Sequence, residues 1–114
     1  MNIHDDVALV SVRRTGDIGF NHKSVSLLQL KDPRNAFITL WTDKEEHAIG
    51  FTITQKPTPD SFKVQKNRRD IRFTAISALN ILGVALDRTR VCKLEPWPIK
   101  GSGNPKWFFK LPKD

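Results

Sequence analysis

Two short basic clusters are the residues best placed to do chemistry in this chain. Arg13 and Arg14 precede Thr15-Gly16-Asp17, a run of turn-forming residues. Lys66, Arg68 and Arg69 surround a second expected turn, with Lys63 and Arg72 on its flanking strands. Lysine and arginine at such sites neutralise phosphates, and nearby backbone N–H groups add hydrogen bonds, so paired cationic turns suit a nucleic-acid backbone. The competing reading is that a hairpin tip is exposed and tolerates any charge. Asp17 and Asp70, the nearest acids, can cap their own turns instead of repelling phosphate.

A second constellation is Lys106-Trp107-Phe108-Phe109-Lys110, preceded by a segment holding Trp97 and Lys100. Strand alternation sends Trp107 and Phe109 to one face and Phe108 to the other. Trp97, Trp107 and Phe109 could therefore stack on unpaired bases beside the lysines. Against this stands core filling, the commoner use of aromatics.

Catalytic readings fail mostly by absence. The chain has no P-loop, no Gly-x-Gly-x-x-Gly and no Gly-x-Ser-x-Gly. Cys92 lies between Val91 and Lys93 in an expected strand, which favours a buried structural thiol over a nucleophile. His4, His22 and His47 are scattered, and the terminal His4-Asp5-Asp6 reads as a solvated tail. Glu45 and Glu46 sit beside Lys44 in a hairpin loop, where solubility explains them. The expectation is a protein without catalytic residues, metal or cofactor.

Length and composition frame these groups. The 114 residues suit one domain spanning 1–114 and bury enough surface to need no covalent staple. A hydrophobic content of 39% argues against wholesale disorder, and a formal charge of +7 favours a polyanionic partner. One cysteine excludes an internal disulfide and every multi-cysteine zinc site. No apolar run approaches the roughly 20 residues that span a bilayer, and Met1 to Asp6 lacks the blocks of a secretory signal. A soluble cytoplasmic protein with no membrane partner is expected.

The elements that would carry the basic turns form an internal repeat, one over 7–54 and one over 62–112, joined by a proline-bearing linker over 55–61. Val12 aligns with Val64, and after one insertion Asp17, Ile18 and Phe20 align with Asp70, Ile71 and Phe73. After a second gap Leu28, Arg34 and Leu40 align with Leu82, Arg88 and Leu94, and Ile49-Gly50-Phe51 with Trp107-Phe108-Phe109. Each half reads strand, turn, strand, short helix, strand, strand. Asn21 and Thr74 are the expected helix N-caps. Ala75, Ala78, Leu79 and Leu82 form an apolar helical stripe that Gly83 ends. Glu95 to Pro105 reads as a long, mobile loop rich in proline and glycine. The fold class is α+β and β-rich: two ββαββ pseudo-repeats in one barrel-like or sheet body with two short helices.

Val12-Arg13-Arg14-Thr15-Gly16-Asp17-Ile18, the Val25/Leu28/Leu30 spacing and Phe37 to Leu40 resemble the AbrB-type swapped-hairpin DNA-binding module. Two such units in one chain resemble the MraZ arrangement. The resemblance implies interlocked repeats whose basic loops face DNA. Cut instead from Phe37 to Leu82, the chain reads as four strands and a helix, which is similar to the Whirly-type unit that binds single strands. The expected function is therefore DNA binding, as in a transcriptional regulator, through phosphate contacts from Arg13, Arg14, Lys63, Lys66, Arg68, Arg69 and Arg72. Single-strand binding is the alternative, and a protein-interaction module such as an antitoxin or a phage accessory protein is the third reading. Unpaired strand edges make a homodimer a further expectation.

Overall fold

A computed structural model describes residues 7–68, 70–101 and 103–112. Arg69 and the His4-Asp5-Asp6 tail lie outside the described residues. Strands β1 (Leu9–Val12) and β2 (Asp17–Phe20) form a hairpin that leads into helix α1 (His22–Leu27). Then come β3 (Phe37–Asp43), β4 (Ala48–Thr54), β5 (Ser61–Lys63), β6 (Gln65–Asn67) and β7 (Asp70–Thr74). Helix α2 (Ile76–Ile81), β8 (Arg90–Lys93), β9 (Glu95–Pro96) and β10 (Trp107–Lys110) complete the chain. The fold is strand-rich α+β, with two short helices.

The strands make two five-stranded antiparallel sheets, ordered β6-β7-β2-β1-β8 and β5-β3-β4-β10-β9. Neither sheet closes on itself. Two strands pass from one sheet to the other through a single buried residue. Val64 links β5 to β6 and donates its N–H to the Ala36 carbonyl at 3.0 Å. Leu94 links β8 to β9 and donates to the Ala8 carbonyl at 2.9 Å. Burying an apolar side chain at each bend ties the outer strands of the two sheets together. Strand alternation explains the rest of the core. Val10, Val12, Ile18, Ile71 and Phe73 point inward from one sheet, and Ile38, Ile49, Phe51 and Phe109 from the other. Phe51 contacts Phe20, Phe73 and Phe109 at ring-centroid distances of 6.1–6.3 Å, which is ordinary tilted aromatic packing.

Asn21 caps α1 as expected, its Oδ1 accepting from the Ser24 N–H at 2.9 Å. The same side chain also donates to the Val7 carbonyl and accepts from the Leu9 N–H, fixing the helix to β1. Thr74 does not cap α2. It is the last residue of β7, and Ala75 takes the cap position without a side-chain bond. The Ala75 N–H is instead satisfied by the Gly16 carbonyl in the β1–β2 turn at 2.9 Å. Gly83 ends the helical segment at φ +71°, the left-handed angle that glycine adopts cheaply. The segment expected as a long loop is shorter: β9 pairs with β10, and the Trp97 N–H donates to the Lys106 carbonyl at 2.9 Å. No helix among the described residues is long and apolar enough to cross a membrane.

Candidate nucleic-acid interface

Strand register decides where the two basic turns lie. β2 and β7 run antiparallel, with Asp17 opposite Thr74 and Gly19 opposite Arg72. Each strand begins at its own basic turn, so the β1–β2 and β6–β7 turns sit at opposite ends of this ladder. The first turn is closed by Gly16 at φ +87° and by the Arg13 N–H donating to the Asp17 carbonyl at 2.9 Å. Thr15 Oγ1 donates to the Asp17 carboxylate at 3.1 Å, so this acid does cap its own turn.

Asp70 does more than that. Its carboxylate accepts from Arg13 Nη1 at 2.9 Å and Nη2 at 2.6 Å, and Arg72 Nη1 stands 3.5 Å away. The Arg13 hydrogen bond holds the Asp70 carboxyl below its usual range, and the same bond raises the Arg13 guanidinium. Arg13 and Arg72 are thus engaged with a carboxylate. Arg14, Lys63, Lys66 and Arg68 are different: each is exposed at its side chain or in its turn, and among the described residues none makes an ion pair. Lys66 Nζ donates to the Lys31 carbonyl at 2.9 Å, which steers the ammonium toward the α1–β3 loop. Three of these four cations lie on β5, β6 and the turn that follows.

The aromatic cluster divides. Phe109 is fully buried against Phe51, so it offers no ring to a base; the expectation that it stacks on a ligand is corrected by its place in the core. Phe108 points to the opposite face, where Trp97 meets it edge-on at 5.5 Å, the Trp97 Nε1 being buried and, among the described residues, without a hydrogen-bond partner. Trp107 is half-buried and packs partly on the core.

Trp107 also lines a groove of about 800 Å³ that the sequence did not disclose. Its apolar wall is Leu27, Leu28, Leu30 and Ile53, and Arg34, Lys56 and Lys106 edge it. Among the described residues Asp32 is the one acid on its wall, and Arg34 occupies that carboxylate through Nε and Nη2 at 2.8–3.0 Å. A second depression shares Asp32 and Arg34 and continues to Lys63, Gln65 and Lys66. These cations come from the α1–β3 loop, the β4–β5 linker, β5–β6 and the residue before β10, segments far apart in sequence. No local motif could have announced them.

Other chemistry is thin. Cys92 is buried, and desolvation pushes its thiol up to about 11, which fits a structural residue. Buried Arg90 donates to the Ala85 carbonyl and pairs with Asp87, tying down the α2–β8 loop. His47 Nδ1 lies 3.0 Å from the Leu111 carbonyl. Among the described residues no three His, Cys, Asp or Glu side chains gather where a metal ion could bind. Compared with known proteins, the chain matches no family model, no curated protein and no solved structure.

Proposed function

We propose that the protein is a non-enzymatic nucleic-acid-binding protein that holds phosphates along the bent β5–β6 strand. One observation carries this reading. Lys63, Lys66 and Arg68 follow one another along that strand and its turn, all exposed, and among the described residues no carboxylate forms an ion pair with any of them. Cations in this state release their counterions to a phosphate chain, which is the main source of sequence-independent affinity. Arg68 adds to the argument through its backbone. It stands at φ +59°, a conformation that glycine takes at lower cost. A cation kept at a strained position is a pointer to use.

The same reading includes the internal repeat. Gly19 aligns with Arg72 and Gly50 with Phe108, and each residue pairs across a ladder with its own counterpart. That is what a twofold relation between halves requires. The relation would send the two basic turns in opposite directions, so the ligand is held mainly at the second turn and not clamped by both. Arg14 at the first turn is a peripheral contact.

The test is binding of the full chain to fluorescently labelled DNA, single-stranded and duplex, across a range of salt. Log affinity is expected to fall linearly with log salt, by about 0.7 per phosphate contact for a single strand and about 0.9 for a duplex. A slope near zero, or no binding at low salt, removes the proposal.

A further inference from the structure

We infer that the groove beside Trp107 is a seat for unpaired nucleotides, so that the ligand is a single strand and the groove continues the phosphate-binding ridge. The inference rests on the function proposed above and names the ligand's form. The two depressions share Arg34 and Asp32, an ion pair, and join four further cations into one track: Lys106, Lys56, Lys63 and Lys66. Asp32, the acid on the track, already has both carboxylate oxygens engaged by Arg34. The net field along the track is positive, and it is polyanionic chemistry that this complements.

The wall beside the cations is what separates single strand from duplex. Trp107 supplies a partly exposed indole, Leu27 and Ile53 supply apolar surface, and Gln29, Asn35 and Gln55 supply amides. Amides offer both donors and acceptors to base edges. A duplex keeps its bases stacked and paired, so it could use the cations but not this wall. Unpaired bases expose their faces and edges, and stacking on an aromatic ring contributes about 1–3 kcal/mol per base. The cavity, of about 800 Å³, has room for bases as well as backbone.

The experiment compares the full chain with two variants on three probes: oligodeoxythymidylate, oligouridylate and a blunt DNA duplex. Trp107→Leu keeps apolar volume against the core but removes the flat ring, and Lys56→Glu changes an exposed residue with no part in the core. Trp107→Leu is expected to lose about tenfold in affinity for the single strands, as loss of one stacked base implies, with less than a twofold change on the duplex. Lys56→Glu, a charge reversal that both forms of nucleic acid feel, is expected to weaken binding to all three probes. The two single strands separate DNA from RNA as the source of the unpaired bases. Equal losses on single strand and duplex from Trp107→Leu, or no loss on single strands by either variant, overturn the groove assignment while leaving nucleic-acid binding standing. Failure of the unmodified chain to bind any of the three probes overturns both.

Discussion

Arg13 and Asp70, fifty-seven positions apart in the chain, meet in a two-pronged hydrogen bond of 2.9 and 2.6 Å on the outer side of the β2–β7 ladder. Gly19 makes the path possible. A Cβ there would collide with the Arg13 guanidinium, which lies across the glycine on its way to Asp70. The contact joins the first basic turn to the start of β7 and removes one arginine from phosphate work. Substituting Gly19→Ala should therefore cost about 1 kcal/mol, the upper end for a partly exposed ion pair of good geometry. In urea unfolding, Gly19→Ala and Arg13→Ala should be non-additive when combined, because both abolish the same contact. Additive losses would mean that the glycine matters for another reason.

Acid should loosen the same contact. The Arg13 hydrogen bond lowers the folded-state Asp70 carboxyl below its unfolded value of about 3.9. A depressed acid contributes stability that is present above the unfolded value and lost as pH falls through the folded one. Unfolding midpoints measured from neutral pH downward should fall at the acid end, and Asp70→Asn should flatten part of that fall. An unchanged acid limb in the variant would show that the pair contributes nothing to folding.

Arg68 invites a trade between stability and binding. Replacing it by glycine relieves a left-handed backbone angle of +59° and should stabilise the fold by about 1 kcal/mol, seen as a higher thermal midpoint. The same variant should bind DNA more weakly, since a phosphate contact is lost. Stabilisation without weaker binding would move the ligand away from the β6–β7 turn.

The parts of this architecture that were legible in the sequence are those set by neighbouring residues. Asn21 before an apolar stripe gave α1, the stripe ending at Gly83 gave α2, and the β-branched runs gave β3 and β4. Cys92 was readable as a core thiol from its place inside a short strand, where alternation buries it between exposed Val91 and Lys93. What stayed hidden depends on partners distant in the chain. Val64 looks like the middle of one strand, yet it is a corner because Ala36 accepts its N–H. Glu95 and Pro96 carry no strand signal and pair only because Phe108 and Trp107 lie alongside. Thr74 has the side chain of a cap, but it ends β7, and Ala75 takes the cap position with its N–H held by the Gly16 carbonyl. Nothing local to Phe109 separates a stacking ring from a core ring; Phe51, distant in the chain, packs against it and makes it core. Charge counting showed an excess of cations but not which were spent, and Arg13 and Arg72 are spent on Asp70.

The ridge of exposed cations on β5 and β6 is the centre of the account, and the salt dependence of binding tests it most directly. Lys63→Ala combined with Lys66→Ala should reduce the magnitude of the slope of log affinity on log salt by about 1.4 for a single strand, or about 1.8 for a duplex, as two lost phosphate contacts require. Lys44→Ala with Lys93→Ala, two exposed lysines away from the ridge, serves as the control and should leave the slope almost unchanged. Equal slopes for the ridge variant and the unmodified chain would contradict the account.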